Sequence, residues 1–220
     1  FAADDDGYNR LWGLVSPTAA RYAKSYEHMD LMMLNGENGH VMFTTQRKSD
    51  VGKFLNKEEY AGNPLTITWK KVMETNKTFI SDLGPYSFDD NVEAMFIGTP
   101  VIVEEETAAV LVFRINPKSI DRILHERTGL GEKGETFVIN KNDSGLVELR
   151  NTRAILGGKT GEALEEDYLK LDFEESGDIF TDRLSTGREA VIAYKPLKIQ
   201  NIDWIMISNI DSDEEFSTLN

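Results

Sequence analysis

Residues 78–116 have the sequence TFISDLGPYSFDDNVEAMFIGTPVIVEEETAAVLVFRIN, and this stretch decides the fold. It contains three runs rich in β-branched and apolar residues, at 78–83, 93–103 and 107–115. The gaps between these runs hold turn-forming or charged residues, at 84–85, 89–91 and 104–106. Consecutive strands joined by short turns usually pair with each other, so the stretch predicts an antiparallel meander of three strands.

Part of this pattern occurs again about 100 residues later in the chain. Residues 79–82 (FISD) resemble 179–182 (IFTD), and 93–97 (EAMFI) resemble 189–193 (EAVIA). Upstream, 31–35 and 39–43 resemble 136–140 and 145–149, two short strands around a turn. Such a long period is typical of tandem domains and not of a solenoid. The sequence therefore predicts two copies of one unit, each with two strands, a helical insert and three strands.

The composition is that of an ordinary globular protein, with 40% hydrophobic and 28% charged residues in 220. The net charge of −14 creates a negative field that disfavours nucleic acid and anionic membrane surfaces as partners. The absence of cysteine excludes disulfides, thiolate metal sites and a cysteine nucleophile. No apolar run reaches the length of about 18 residues that a membrane span needs.

Apolar residues between Leu11 and Tyr26 recur at helical spacing, which predicts a long N-terminal helix broken or kinked at Pro17. Further helices are predicted at 64–76, 117–127 and, shorter, near 163–169. The other predicted strands are 29–34, 40–45, 135–140, 146–150, 177–182, 189–194 and 204–210. Residues 1–7 and the acidic stretch 212–215 are expected to be unstructured, and 141–145 to form a turn. These patterns give an N-terminal helix (1–28), a first unit (29–116), a linker helix (117–131), a second unit (132–212) and a tail (213–220).

Five short segments, taken in order, resemble a known family. They are DLMMLN (30–35), GHVMF (39–43), DVGKFL (50–55), SDLGPY (81–86) and GLGEKGETF (129–137). Their order and spacing are similar to those of the double Cache sensor domains of bacterial methyl-accepting chemotaxis proteins and related sensor kinases. The resemblance covers almost the whole chain.

The resemblance implies an α+β fold: a long N-terminal helix followed by two tandem PAS-like units, each an antiparallel sheet with flanking helices. It implies a position outside the cytoplasmic membrane, periplasmic or extracellular, with membrane-spanning helices beyond this sequence and the tail 213–220 leading toward one of them. The expected ligand is a small metabolite such as an amine, a carboxylate or an amino acid, bound in the membrane-distal unit, residues 29–116. A homodimer through the N-terminal helix is also implied.

Amino-acid-binding members of the family place an Asp near the end of the last distal strand and an Arg-Trp pair upstream. In this sequence the matching strand position holds Arg114, and no Arg-x-Trp or Arg-Trp-Tyr motif lies near Trp69. The sequence departs from that pattern at both places.

Three polar residues of the first unit are candidates for contacting a ligand. Asp82 and Tyr86 flank the turn after the first strand of the meander, where a carboxylate beside a phenol would suit an ammonium or hydroxyl group. The alternative is that Asp82 caps the turn and Tyr86 packs at its rim. Arg114 shares a strand face with Val110 and Val112. If that face is internal, a buried Arg needs an anion, and a ligand carboxylate would be a bidentate partner.

Two aromatic residues are candidates for the wall of the site. Trp69, on the predicted helix 64–76, could stack on a ligand, and Phe96 could line the same pocket. The alternative for both is ordinary core packing. In the second unit Phe180, Asp182 and Tyr194 hold comparable places and could form a second pocket.

The sequence offers no constellation for catalysis, so no enzymatic activity, cofactor or metal is expected. His28, His40 and His125 are far apart in sequence and have no second histidine at ligand spacing. The run Gly158-Lys159-Thr160 lacks the leading glycine of a phosphate-binding loop, since residue 153 is Arg.

The predicted function is therefore extracytoplasmic sensing of a small molecule by a transmembrane chemoreceptor, with binding passed on as a conformational shift. The alternatives are the sensor domain of a histidine kinase or a cyclase, and a solute-binding module without a signalling role.

Overall fold

The structure is a computed structural model that describes residues 6–141, 144–170 and 172–217. The chain divides into two units, Phe1–Asn116 and Pro117–Asn220. Each unit has its own hydrophobic core and its own antiparallel sheet. The α+β fold class predicted from the sequence, a long N-terminal helix followed by two sheet-containing units, is confirmed.

The first unit contains two helices, a short 3₁₀ turn and seven strands. In chain order these are α1 (Asp6–Ser25), β1 (Asp30–Asn35), β2 (Val41–Thr44), the 3₁₀ turn (Glu58–Tyr60), α2 (Pro64–Thr75), β3 (Phe79–Ile80), β4 (Gly84–Tyr86), β5 (Val92–Ala94), β6 (Phe96–Val103) and β7 (Glu106–Arg114). Five strands form a sheet in the order β2-β1-β7-β6-β3, and β4 and β5 form a separate hairpin. The first and last strands of the unit are therefore neighbours at the centre of the sheet.

The core of the first unit lies between this sheet and α2. Alternate residues of a strand point to the same side, and on β1 and β7 the buried side carries Met32, Leu34, Val110 and Val112. These four pack in one cluster with residues of α2, of the β4–β5 hairpin and of β6, among them Leu65, Trp69, Val72, Tyr86, Phe88 and Phe96. The core side of the sheet is thus the side that faces α2.

Helix α2 is positioned by its ends and by one glycine beneath it. The side-chain oxygen of Asn63 accepts a hydrogen bond from the Leu65 amide at 2.9 Å, and Pro64 occupies the first helical position, where its missing N–H is not needed. The helix ends at Asn76, which has a left-handed φ of 51°. On β6, a Cβ at Gly98 would lie 2.6 Å from Thr68 Cγ2, so glycine allows the helix to approach the sheet closely.

Helix α1 lies on the opposite side of the sheet. The Tyr22 ring contacts Phe113 of β7 at 5.8 Å between centroids, and Trp12 Nε1 donates a hydrogen bond to the Thr44 carbonyl at 2.8 Å. The helix continues through Pro17, where the sequence predicted a break or kink. The carbonyl that a proline ring crowds belongs to the residue four positions earlier, here Gly13, whose backbone adjusts most easily.

The predicted strand 93–103 is interrupted at Met95, and residues 84–85, predicted as a turn, belong to β4 instead. The reason is that β5 leaves the main sheet to pair with β4, with Tyr86 opposite Val92. The turn between them places Asp90 and Asn91 at φ of 52° and 55°, a conformation that these two residue types tolerate. This hairpin covers one end of the core.

The second unit begins with a helix and contains a six-stranded sheet. Its elements are α3 (Pro117–Leu124), β8 (Glu135–Lys141), β9 (Val147–Leu149), β10 (Ala163–Leu164), a 3₁₀ turn (Asp167–Lys170), β11 (Asp178–Arg183), β12 (Glu189–Pro196), β13 (Trp204–Asp211) and α4 (Ser212–Ser217). The strand order is β10-β9-β8-β13-β12-β11. If β10 and the β4–β5 hairpin are set aside, both sheets have the same order: second, first, fifth, fourth and third strand.

The structure of the second unit differs from the sequence-based predictions in three places. The helix predicted near 163–169 is replaced by β10, which pairs with β9, and by the 3₁₀ turn. The helix predicted at 117–127 ends at Leu124. Residues 212–215, expected to be unstructured, belong to α4 (Ser212–Ser217), because an Asp211 carboxylate oxygen accepts a hydrogen bond from the Asp213 amide and caps the helix. Of residues 1–7, expected to be unstructured, 6 and 7 belong to α1, and 1–5 lie outside the described residues, as do 142 and 143 of the predicted turn 141–145.

Within the part of the chain that the structure describes, no helix is both long and apolar enough to cross a membrane.

Candidate functional site

Arg114, the last residue of β7, is a fully internal arginine. Its alternation with Val110 and Val112 turns the side chain toward the core, and the residue is only 2% exposed. Across the sheet it lies between Asp30 of β1 and Phe96 of β6. A guanidinium cannot lose its proton, so burial here requires anionic or hydrogen-bonding partners.

One partner of Arg114 comes from the turn of the β4–β5 hairpin. Arg114 Nη1 donates a hydrogen bond to Asp89 Oδ2 at 2.6 Å, and Asp89 also forms an ion pair with Lys48. The hydrogen bond from Lys48, together with that from Arg114, holds the pKa of the Asp89 carboxyl below its usual range. The side chains of Lys48 and Asp89 are 33% and 18% exposed, so this chain of charges leads from the surface to the buried guanidinium.

Tyr86 lies beneath the guanidinium and connects it to a second carboxylate. The Arg114 Cζ atom is 5.0 Å from the centroid of the Tyr86 ring, within range of a cation–π interaction. The Tyr86 hydroxyl donates a hydrogen bond of 2.6 Å to Asp50 Oδ2. Both residues are fully buried. Burial raises the pKa of Asp50, against the opposing effects of the Tyr86 hydrogen bond and the nearby Arg114.

Three buried atoms of this cluster have no hydrogen-bond partner within residues 6–141, 144–170 and 172–217: Asp50 Oδ1, Arg114 Nε and Arg114 Nη2. The Nε and Nη2 groups form one edge of the guanidinium, the edge that can hold both oxygens of a carboxylate. Asp50 Oδ1 is an acceptor that suits an ammonium or hydroxyl donor. The cluster thus combines an unused donor pair and an unused acceptor in an apolar surround.

Asp30 is a third carboxylate at this end of the sheet. Its Oδ1 accepts hydrogen bonds from the Thr45 hydroxyl at 2.5 Å, the Thr45 amide at 2.9 Å and the Gln46 amide at 3.3 Å. Burial nevertheless raises the pKa of Asp30 to about 6, because desolvation of the carboxylate outweighs these bonds. The bonds fix the end of β2 to the start of β1.

Four of the five residues predicted for the site lie in the same core. Tyr86 and Phe96 are in ring contact, with centroids 5.0 Å apart, and Arg114 lies over Tyr86. Trp69 belongs to the same cluster, and its Nε1 donates a hydrogen bond to the Gly36 carbonyl at 3.2 Å. Asp82 instead uses a carboxylate oxygen to accept a hydrogen bond from the Leu83 amide at 2.7 Å, the turn-capping alternative. It shares none of the hydrogen bonds described above.

Asp50, Asp89, Lys48 and Asp30 are not among the site residues predicted from the sequence. Asp89 was interpreted as part of a turn, and it does lie in one. Asp50 and Lys48 occur in an irregular segment between β2 and α2, where no periodicity indicates which side chains point inward. The available signal was Arg114 itself, since an arginine at an internal strand position implies carboxylates elsewhere.

Among the residues that the structure describes, no group of three or more His, Asp or Glu side chains is placed to hold a metal ion. His28 and His40 pack against Phe113 and Phe54, and burial lowers the pKa of both rings.

Comparison of the sequence with known proteins finds no matching family model and no curated protein of significant similarity. Comparison of the structure does find similar proteins. The ligand-binding domain of the Pseudomonas fluorescens chemoreceptor CtaA, in complex with L-isoleucine, superposes with a TM-score of 0.59 at 14% identity, covering 97% of this chain and 90% of that one.

Two further solved structures are similar. The ligand-binding domain of the Pseudomonas aeruginosa PAO1 amino acid chemoreceptor PctB, in complex with L-Gln, has a TM-score of 0.58 at 11% identity, covering 88% of this chain and 72% of that one. The extracellular domain of the putative histidine kinase rpHK1S-Z16 has a TM-score of 0.61 at 12% identity, covering 93% and 80%. At these identities the likeness establishes the fold. The chain has the architecture of receptor ligand-binding domains, as the resemblance to double Cache sensor domains predicted.

Proposed function

We propose that this chain is the extracytoplasmic sensor of a membrane-anchored receptor, most simply a chemoreceptor, and that it binds a small molecule in its first unit. The fold supports a sensor, since the similar solved structures are receptor domains and not enzymes. The first unit, 29–116 with the helix 1–28 before it, would be the membrane-distal one, and 132–212 the proximal one. The whole would lie in the periplasm or outside the cell, without catalytic activity.

The observation that carries the proposal is the pair of unsatisfied groups around Tyr86. The Nε and Nη2 groups of Arg114 would bind a ligand carboxylate through two parallel hydrogen bonds. Asp50 Oδ1 would accept a hydrogen bond from an ammonium or hydroxyl group of the same ligand. Tyr86, Phe96 and Trp69 would supply the apolar wall. A small amino acid, or another molecule with a carboxylate and a donor, fits these requirements.

The contacts of the Asp89 carboxylate support a mechanism by which a bound ligand would act on the β4–β5 hairpin. It already binds Arg114 through Nη1, from a turn that also contacts Lys48 at the surface. A ligand carboxylate competing for the guanidinium would change the position of the β4–β5 hairpin. Such a ligand shifts the population between two arrangements of the hairpin, by as much as its affinities for them differ.

Homodimerisation through α1 forms part of the proposal. The helix exposes Leu11, Val15, Tyr22 and Tyr26, at 60%, 43%, 49% and 61% of their surface. Their spacing of four and seven residues places them in one stripe along the helix. An apolar stripe of this kind suits a second copy of the same helix.

The test is a thermal-shift titration with L-alanine, propionate and ethylamine, which separate the carboxylate from the ammonium. L-alanine should raise the melting temperature more than either fragment, because it carries both the carboxylate and the ammonium. A ligand at 100 times its Kd adds about 2.7 kcal/mol to stability, which is large enough to detect. Other small L-amino acids follow if L-alanine is too short to fill the apolar wall.

Two variants locate the binding. Arg114→Lys keeps the charge but loses the bidentate edge, and Asp50→Asn keeps the shape but loses the anion. Each should weaken binding by about tenfold or more, whereas the exposed control Glu104→Gln should not. Equal affinity in all three variants would contradict the site, and the absence of any shift across the amino acids would contradict direct sensing.

A second candidate function is the sensor domain of a histidine kinase, which the likeness to rpHK1S-Z16 favours. It predicts the same ligand site, and the sequence that follows residue 220 in the full-length protein distinguishes the two.

A further inference from the structure

We propose that the second unit contains a binding site of its own, for an organic cation. The site is a cavity of about 790 Å³ between the insert after β9 and the end of β11. Its charged lining consists of five carboxylates, Glu162, Glu165, Glu166, Asp167 and Asp182, and two guanidinium groups, Arg153 and Arg183. The lining is therefore strongly negative.

The floor of the cavity contains a buried excess of negative charge. Arg153, whose side chain is 2% exposed, forms ion pairs with Glu135 at 2.6 Å and with Glu166 at 2.7 Å. Two carboxylates thus share one guanidinium. Burial of an unbalanced charge is unfavourable, and a bound cation removes the imbalance.

A buried carboxylate oxygen at the cavity is unused. The Glu166 side chain is 8% exposed and lines the cavity, and among the described residues its Oε2 has no hydrogen-bond partner. Oε1 of the same carboxylate is held by Arg153. Glu166 is therefore fixed in place by one oxygen and offers the other as an acceptor.

A second buried polar group without a hydrogen-bond partner among the described residues belongs to the strand neighbour of Glu135. Asn209, which is 1% exposed, is the cross-strand partner of Glu135, and in the part of the chain described neither of its side-chain polar atoms is hydrogen-bonded. When the core pairs Met32–Val112 and Phe137–Ile207 of the two sheets are matched, Glu135 and Asn209 take the places of Asp30 and Arg114. The polar cluster of the second unit thus occupies the same place in its sheet as the cluster of the first.

The chemistry of the lining selects the class of ligand. The five carboxylates outnumber the two guanidinium groups of the lining, so the cavity is negative on balance and disfavours an anion. Within residues 6–141, 144–170 and 172–217, no three acidic side chains converge closely enough for a metal ion. An alkylammonium group does not need acceptors that converge on one point, since it donates up to three hydrogen bonds and carries its charge on a flexible chain. A diamine could place one ammonium at Glu166 and the other near the acidic rim.

The experiment uses butane-1,4-diamine as the probe and butane-1,4-diol as its neutral control. Isothermal titration calorimetry measures affinity for the whole chain, and hydrogen–deuterium exchange locates the binding. The diamine should bind and protect amides in 150–169 and 182–187, and the diol should not.

Four variants separate this site from the first unit. Glu166→Gln and Asp182→Asn should each weaken diamine binding by about tenfold. Asp182→Asn serves if Glu166→Gln impairs folding, because an amide oxygen preserves the bond from the Arg183 amide to Asp182. Glu189→Gln, an exposed acid on β12, should leave the affinity unchanged, and Asp50→Asn tests whether the diamine binds in the first unit instead.

Three results would overturn the proposal. The first is the absence of both detectable heat and amide protection at about 10 mM diamine, a concentration well above the dissociation constants of ordinary metabolites. The second is an affinity that is unchanged in both Glu166→Gln and Asp182→Asn. The third is a loss of binding in Asp50→Asn alone. The last would assign the diamine to the first unit.

Discussion

The hydrogen bond from Tyr86 to Asp50 is the residue contact on which the first-unit cluster depends most. Removing the hydroxyl in Tyr86→Phe leaves a buried carboxylate without its donor, which costs about 1–3 kcal/mol. Urea denaturation of the variant and the wild type measures this difference. In the double variant with Asp50→Asn, the two costs should not add, because both changes remove the same bond. A loss below about 0.5 kcal/mol would show that the bond contributes little to stability.

Asp30 makes stability depend on pH. Its folded-state pKa of about 6 lies above the ordinary 3.8, so between these values the folded protein binds more protons than the unfolded chain. The free energy of unfolding should therefore fall as pH rises from about 4 to 6, with a contribution from this residue of about 3 kcal/mol.

Asp30→Asn isolates the contribution of Asp30 to this pH dependence. An amide oxygen can still accept the three bonds that Asp30 Oδ1 accepts, but it does not titrate. Denaturation of the wild type and the variant at several pH values between about 4 and 7 should show their stabilities diverging, with the wild type losing more. Parallel curves would mean that Asp30 is already ionised near its ordinary pKa.

The sequence predicted site residues well in regular elements and poorly in loops and turns. Arg114, Phe96, Tyr86 and Trp69 lie at periodic or flanking positions of regular elements, where alternation shows which side is internal. Their carboxylate partners come from a loop and a turn, whose side-chain directions follow from backbone angles that no sequence pattern encodes. The direction of the Asp82 side chain depends on turn angles in the same way, so the sequence left both its ligand-binding and its turn-capping interpretation open.

At the scale of elements, the turn between β6 and β7 is strained because it holds two non-glycine residues in the left-handed backbone conformation. Glu104 and Glu105 have φ of 50° and 70°, in the left-handed region that costs a residue with a Cβ about 1–2 kcal/mol. Replacing the pair with Asn-Gly, the residues preferred in such two-residue hairpin turns, should stabilise the protein by about 1 kcal/mol or more. Thermal unfolding measures the gain, and Glu104→Gln with Glu105→Gln, which removes charge but not strain, is the control.

An Asn-Gly variant no more stable than the Gln-Gln control would mean that charge repulsion, and not backbone conformation, limits this turn.

The repeat between the two units was predictable where burial is strong. The strand registers align β1 with β8, and β6 with β12, residue for residue as the sequence repeat does. On β3 the match differs by one residue: Ile80 pairs with Ile97 as Ile179 pairs with Ala193, whereas the sequence aligned Ile80 with Phe180. Both strands lie at sheet edges and are only partly buried, so their hydrophobic pattern does not determine the register.

At the scale of the whole molecule, the two cores predict two folding units. Residues 1–116 and 117–220, expressed separately, should each give a cooperative unfolding transition, because each has a closed set of buried apolar residues. A ligand of the first unit should stabilise fragment 1–116 and the diamine fragment 117–220. Circular dichroism during heating tests both, and a fragment that remains unfolded would show that its core is incomplete alone.

The order of the sheet has a mechanical consequence for the first unit. Because its first and last strands are adjacent, the Met29 amide bonds to the Arg114 carbonyl at 2.9 Å, and α3 begins three residues later at Pro117. The two lengths of chain that leave the sheet here, back into α1 and onward into α3, are thus anchored at the backbone of one residue. Both connections are short, with residues 26–29 between α1 and β1 and residues 115–116 between β7 and α3. In the proposed sensor, a shift of Arg114 would therefore act on the starts of both connections without a large rearrangement of the sheet.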